Sequence, residues 1–247
     1  NLCTDIHYLN GAFAEYIRVP ARFVRQNTYL VPPDLPLHLA ALTEPLACVL
    51  HGINACELTR FSHQEPPEVV VFGGGPIGLL FVGALATSGC DVVLADPNQN
   101  RLDVGKAMGA RKTIEIERDG GQAHAIRAIT NGGQGAWIAI DATGIASVWV
   151  DAINSVRPGG LINLFGGCSP GSTISLDTHL VHYSELTIKG VYHHRPETIR
   201  QALNMLTNPE LKANLLLSTE MAIEQTEAAI RSMIDKKSLK VIIRGTE

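Results

Sequence analysis

Three glycines spaced as Gly73-x-Gly75-x-x-Gly78 follow the apolar run Val69 to Phe72 and open a helix-forming stretch. The first permits a tight turn, the second lets backbone come close to a bound phosphate, and the third lets a helix pack closely on a strand. A helix that begins here directs unpaired N–H groups and a partial positive charge outward, which suits a pyrophosphate. A second run, Val92 to Ala95, ends in Asp96, 18 residues after Gly78. A carboxylate at that strand tip accepts hydrogen bonds from both hydroxyls of a ribose and repels a 2′-phosphate. Pro97, Asn98, Gln99 and Asn100 separate it from the next basic residue, Arg101. Together these features favour NAD over NADP, while an Asp in this position can also be only a helix N-cap.

Two further strand tips belong beside the same crevice, because ligands of such sheets lie beyond the carboxyl ends of the strands. Asp141-Ala142-Thr143-Gly144 ends one run and Leu164-Phe165-Gly166-Gly167 ends another. Small residues there let a flat ring lie against backbone, although ordinary strand-to-helix turns look the same.

The elements that must position these residues are legible in the hydrophobic pattern. Short apolar runs stand at Val69 to Phe72, Val92 to Ala95, Thr113 to Ile116, Ile138 to Ile140, Leu161 to Phe165 and Leu186 to Val191. Their near-continuous hydrophobicity indicates strands buried on both faces. Gly78 to Thr87, Arg101 to Met108 and Glu197 to Leu206 read as helices between or after them. The expected fold is α/β, a six-stranded doubly wound parallel sheet of Rossmann type. Outside this alternation, Phe13 to Val19 reads as a half-exposed strand, Glu224 to Asp235 as a helix and Lys240 to Ile243 as a terminal strand. The two chain ends are therefore expected to form a second, smaller body, with 1–50 and 207–247 apart from a nucleotide-binding region at 51–206.

At about 150 residues per domain, 247 residues suit one large or two unequal domains. A hydrophobic content of 45% excludes a disordered chain. The net charge of −4, without a long basic run, argues against nucleic acid as a partner, and no apolar stretch is long enough to span a membrane. Five scattered cysteines (Cys3, Cys48, Cys56, Cys90 and Cys168) are read as reduced thiols of a cytoplasmic protein, with Cys90 and Cys168 as small core residues.

Ala12 to Tyr16, Thr43-Glu44-Pro45-Leu46-Ala47-Cys48-Val49-Leu50-His51-Gly52, the turn Gly73 to Gly78, Asp96 and Arg101-Leu102 occur in an order that resembles the zinc-dependent medium-chain alcohol and polyol dehydrogenases. The nearest likeness is to their sorbitol, idonate and threonine dehydrogenase branch, which carries an E-P-L segment where Glu44 to Leu46 stands. The resemblance implies a GroES-like β-barrel catalytic domain built by both chain ends. It also implies NAD-linked oxidation of a secondary alcohol or polyol. The cofactor contacts would come from Gly73, Gly75, Pro76, Ile77, Gly78, Asp96, Arg101, Thr143, Gly166 and Gly167.

In that family a cysteine and a Gly-His-Glu segment hold the catalytic zinc, and four cysteines hold a structural one. Asn1-Leu2-Cys3 looks like the end of the structural lobe, with Cys3 as its last ligand, so roughly a hundred residues of a full-length relative are expected upstream. By resemblance Glu44 binds the catalytic zinc or its water, whereas a Glu at a helix start is also favourable through the dipole alone. One carboxylate and Cys3 make no tetrahedral site, so a tightly held zinc is not expected.

His51 lies seven residues after Glu44 on the same helix face, either lining the site or buried for structural reasons. His193 and His194 follow the sixth strand, where relatives place an aromatic and basic run near substrate. Neighbours on an extended chain point to opposite sides, which favours hydrogen bonding to a polyol, or exposure, over chelation. A homodimer or homotetramer through the edge strand near 186–191 is expected. A non-catalytic NAD-binding module and a zinc-independent reductase are the competing readings; Glu44 and Cys3 weigh against the latter.

Overall fold

The computed structural model describes residues 11–61, 66–117 and 121–245. The six apolar runs form β1 (Glu68–Phe72), β2 (Asp91–Asp96), β3 (Lys112–Glu115), β4 (Ala136–Asp141), β5 (Val156–Leu164) and β6 (Thr187–Gly190). They make one all-parallel sheet in the order β3-β2-β1-β4-β5-β6. Val69 pairs with Val92 on one side and Ile138 on the other, so β1 is central, and the order reverses between β1 and β4. That reversal opens the crevice in which a doubly wound sheet takes its ligand. The expected edge at Leu186 to Val191 is β6, bonded among the described residues to β5 alone, and its half-exposed side chains contrast with the fully buried β1.

The helices in chain order are α1 (Ala21–Asn27), α2 (Leu37–Ala40), α3 (Thr43–Ala55), α4 (Pro76–Thr87), α5 (Gln99–Ala107), α6 (Ala123–Ile129), α7 (Ala146–Ser155), α8 (Thr178–Tyr183), α9 (Pro196–Met205) and α10 (Thr226–Ile234). Alternation along β1 sends Val70 and Phe72 to the face covered by α6 and α7, where Ile126, Val148 and Ala152 complete a buried cluster. Val69 and Val71 therefore face the opposite layer, in which α4 packs on β1 and β2. Helix α4 is apolar all round and buried from Gly78 to Leu85, as a helix enclosed on every side must be. Gly159 and Gly160 lie inside β5.

The chain forms two compact units. One runs from Val31 to Leu215; the other joins the chain up to Leu30 with the chain from Leu216 onward. The division differs from 50/51 and 206/207 because α3 packs extensively on α4 and α9, which draws it into the larger unit.

In the smaller unit, β7 (Leu217–Ala222) and β8 (Lys240–Arg244) pair in parallel and are joined through α10. The expected terminal helix and strand are thus present. Phe13 to Val19, however, is not a strand. Among the described residues no neighbouring strand offers it ladder hydrogen bonds, and Phe13, Tyr16 and Ile17 are exposed rather than alternately buried. Among the described residues no helix is long and apolar enough to cross a membrane.

Candidate functional site

The crevice is built around the turn between β1 and α4. Gly73 has φ +101°, a left-handed conformation costly for any residue with a Cβ, and its N–H donates to the Ala95 carbonyl at 2.8 Å. A Cβ on Gly78 would lie 1.7 Å from the Gly73 carbonyl oxygen, so the third glycine is demanded by close packing inside the chain. Gly75 differs. Its φ is an ordinary −70°, and a Cβ there would meet nothing within 4 Å. Nothing in the chain requires a glycine at 75, and the open space beside it is a cradle that a side chain would fill. Gly75 caps α4 without a side-chain hydrogen bond, and Pro76 takes the first helical position, where a missing N–H is harmless. The first-turn N–H groups of α4, including those of Ile77 and Gly78, therefore have no side-chain acceptor.

Asp96 is the tip of β2 and is almost fully buried. Its Oδ2 accepts from Gly74 N–H at 2.6 Å and its Oδ1 from Asn98 N–H at 2.8 Å. The N-cap of α5 is Asn98, whose side chain accepts from Arg101 N–H, so Asp96 is not the cap. Helix α5 turns Arg101 back until its guanidinium stands 3.9 Å from Asp96 Oδ2, closer than the intervening Pro97 to Asn100 suggests.

The tips of β4 and β5 are tied to each other by the Asp141 backbone carbonyl, which accepts from Phe165 N–H (3.2 Å) and Gly166 N–H (2.8 Å). The Asp141 carboxylate instead organises the turn after β4, accepting from Thr143 N–H and Oγ1–H (3.2 and 2.6 Å), from Gly144 N–H (3.0 Å) and from Trp149 Nε1–H (3.0 Å). Burial pushes the Asp141 carboxyl above its ordinary value, with these donors opposing the shift. Gly166 sits so close that a Cβ would lie 2.3 Å from Gly144 N, while Gly167 is open on that side. Trp149 also donates to the Gly166 carbonyl at 3.1 Å, a locking contact that the sequence pattern did not reveal.

A second polar cluster lies between α3 and the loop after β6. Glu44 is in the first turn of α3, which the helix dipole favours, and Cys48 is one turn further on. The Cys48 thiol donates to Glu44 Oε1 at 3.4 Å; burial, followed by the Glu44 charge, pushes it up to about 12. His193 completes a triplet with Glu44 and Cys48 whose ligand atoms all lie within 4.8 Å of one another. The His193 backbone has φ 62°, and His51 Nδ1–H donates to its carbonyl at 2.6 Å.

The rings of His193 and His194 are 4.4 Å apart, and His194 Nε2 is 4.0 Å from Glu44 Oε1. Burial, reinforced by His193, pushes the His194 imidazole below the usual histidine value, with Glu44 opposing. Both histidines carry a buried Nδ1 with no hydrogen-bond partner among the described residues.

The chain matches the family model described as zinc-binding dehydrogenase over residues 76–208. It is 30% identical over 251 residues to a sorbitol dehydrogenase of Bacillus subtilis, covering 98% of this chain and 67% of that protein. An L-threonine 3-dehydrogenase of Idiomarina loihiensis is 26% identical over 234 residues, covering 94% of this chain and 64% of that one. Among solved structures, the alcohol dehydrogenase TADH from Thermus sp. ATN1 superposes with a TM-score of 0.81 at 25% identity, covering 96% of this chain and 66% of that one. The chain belongs to the zinc-binding dehydrogenase family. It spans about two thirds of the length of the relatives it matches.

In this chain Gly73, Gly75, Pro76, Ile77, Gly78 and Asp96 stand together at one mouth of the sheet, with Arg101 beside Asp96 and Thr143 beside Gly73. Cys3 lies outside the described residues. The expectation that His193 and His194 diverge is corrected: the left-handed backbone at His193 breaks the extended geometry on which that argument relied, and the rings lie close together. Cys168 is half-buried rather than core, whereas Cys90 is buried. Cys48 was missed as a site residue. Its signal was available, since a position four after Glu44 on a helix shares its face.

Proposed function

We propose that this chain is the dinucleotide-binding portion, with part of the catalytic domain, of an NAD-dependent alcohol or polyol dehydrogenase. The reaction is hydride transfer from a secondary alcohol to the nicotinamide. The observation that carries this reading is the open cradle at Gly75, next to Gly74, whose N–H donates to a buried carboxylate at the tip of β2. A pyrophosphate fits over Gly75 against the first-turn N–H groups of α4. Asp96 takes the ribose hydroxyls while keeping its two backbone donors, because a carboxylate offers about four lone-pair sites. Arg101, in the first turn of α5, flanks the adenosine side. Thr143, Gly166 and Gly167 offer the small surface that the nicotinamide half needs.

On the substrate side, Glu44, His51, His193 and His194 are the groups that hold or orient the alcohol. Zinc, when bound, supplies a Lewis acid that lowers the proton affinity of the alcohol oxygen. Glu44 is the family-position donor toward it in this chain. The substrate class follows the sorbitol and threonine dehydrogenases named above. The smaller unit belongs to the catalytic domain, and β6 is the edge through which a cytoplasmic homodimer or homotetramer forms; sizing with light scattering checks the assembly.

Calorimetric titration with NADH and NADPH tests the central claim. Saturable NADH binding is expected, with NADPH much weaker. Asp96→Ala should weaken NADH about 100-fold, the effect of losing two hydrogen bonds to a charged group. A folded chain that binds neither nucleotide would overturn the reading, and tighter NADPH binding would overturn the choice of cofactor.

A further inference from the structure

Just beyond the tip of β5 stands a peptide bond with glycine on both sides, Gly166 and Gly167. Such a peptide rotates more freely than others, since neither neighbour has a Cβ to restrict φ and ψ. The two glycines differ in what the chain asks of them. A Cβ on Gly166 would lie 2.3 Å from Gly144 N and 2.6 Å from Asp141 Oδ2, so the packing of the β4 and β5 tips demands a glycine there. Gly167 is exposed, and a Cβ on it would meet no described atom within 4 Å, the same openness as at Gly75.

Trp149, half-buried on α7, restrains this peptide. Its Nε1–H is shared between the Gly166 carbonyl at 3.1 Å and Asp141 Oδ2 at 3.0 Å, while the Gly166 N–H donates to the Asp141 carbonyl at 2.8 Å. Gly166 is thus held at both its N–H and its C=O. Because a trans peptide is planar, with C=O and N–H pointing in opposite directions, fixing the Gly166 oxygen toward Trp149 turns the Gly167 N–H the other way. No described residue accepts from that N–H.

We infer that Trp149 is a positioning residue for the nicotinamide–ribose half of the dinucleotide: its indole N–H locks the Gly166–Gly167 peptide so that the Gly167 N–H is set as a donor to that half. The inference rests on the dinucleotide reading of the crevice. The nicotinamide–ribose half offers a carboxamide oxygen and ribose hydroxyls as acceptors, whereas the adenosine half belongs at Asp96 on β2, separated from β5 by β1 and β4. An unrestrained Gly–Gly peptide would lose orientational freedom on binding, and Trp149 removes that cost in advance. The bonds also couple, since an acceptor on the Gly167 N–H polarises the peptide and strengthens the bond from Trp149 to the Gly166 oxygen.

The test compares two probes on the full chain, NADH and ADP, of which ADP lacks the nicotinamide–ribose half. Trp149→Phe keeps an aromatic ring on α7 and removes the N–H. In calorimetric titration it should weaken NADH about 5–10-fold, the effect of one hydrogen bond, and change ADP by no more than about twofold. A second measurement needs no change at position 149. Trp137 and Trp149 are the two tryptophans of the chain, so isotope labelling of the indole nitrogens gives two N–H resonances. Trp137→Phe, which keeps a ring for Arg157 to stack on, assigns them. The Trp149 resonance should move on saturation with NADH and stay in place with ADP. Thermal melts followed by circular dichroism establish that each variant is folded.

Equal weakening of NADH and ADP in Trp149→Phe would overturn the inference, because a tryptophan that only supports the fold would disturb both halves alike. So would an unchanged NADH affinity in the folded variant, or a Trp149 resonance that does not respond to NADH. These outcomes leave the dinucleotide reading standing as long as the parent chain binds both probes. A folded parent chain that binds neither overturns that reading and the inference with it.

Discussion

The glycine turn and the histidine cluster both belong to the larger unit, yet they satisfy their polar atoms in opposite ways. Around the turn, Asp96 and Asp141 receive six donors at hydrogen-bonding distance, and Gly78 and Gly166 fit where no Cβ could. Around the cluster, two imidazole nitrogens are orphaned and one backbone is strained. The difference teaches that the turn is preorganised by the chain itself, whereas the cluster leaves buried polar atoms unsatisfied by the described residues. A binding surface that is already satisfied changes little on loading; an unsatisfied one gains stability from its ligand.

The largest test of this contrast is Gly78→Ala. A Cβ placed 1.7 Å from the Gly73 oxygen forces the turn open. The cost should exceed about 3 kcal/mol, seen as a melting temperature lowered by about 6–12 °C and lost NADH binding. A tolerated alanine would show that the turn is not held by packing. Asp141→Asn comes next. It presents an amide N–H2 group to donors that now meet a carboxylate oxygen, and should cost about 2–3 kcal/mol in urea unfolding. An unchanged midpoint would mean that this carboxylate does not hold the turn after β4.

Asp151 brings the contrast into one side chain. Its Oδ1 accepts from Gly121, Gln122 and Ala123 N–H groups at the start of α6, while its buried Oδ2 has no partner. Burial raises its carboxyl above 3.8, the backbone donors opposing. In that window the folded chain binds more protons than the unfolded one. Stability measured against Asp151→Asn is therefore greatest below pH 3.8 and falls as the pH climbs through the raised value. At neutral pH the variant should lie within about 1 kcal/mol of the parent. A stability difference that grows with pH would reverse the sign and sink the account.

The smallest effect is expected in the cluster. His193→Gly relieves the left-handed backbone while losing an unsatisfied ring, so the metal-free chain should move by less than about 1 kcal/mol in its urea midpoint. A large loss would show that the imidazole already stabilises the empty chain, and the contrast with the turn would fail.

Much of this was legible in one dimension. Buried strands of a parallel sheet announce themselves as apolar runs, so Val69 to Phe72 and Val92 to Ala95 could be placed from composition alone. A turn whose glycines serve backbone geometry carries its spacing in the sequence for the same reason. Phe13 to Val19 shows the limit, since alternation specifies a strand only when another strand is there to bond it. Arg101 shows another: four intervening residues suggested separation from Asp96, and the first turn of α5 removed it.

What the sequence by itself determined is therefore the strands, their order along the chain and the phosphate turn, because buried strands and tight turns are written in local hydrophobic runs and glycine spacing. Only the tertiary structure decided that Glu44 and Cys48 meet His193, that His51 holds the His193 carbonyl, and that Asp141 joins two strand tips. The first two rest on the approach of α3 to the loop after β6 and on one left-handed residue, and the third on a strand pairing; none leaves a periodic trace in the order of amino acids.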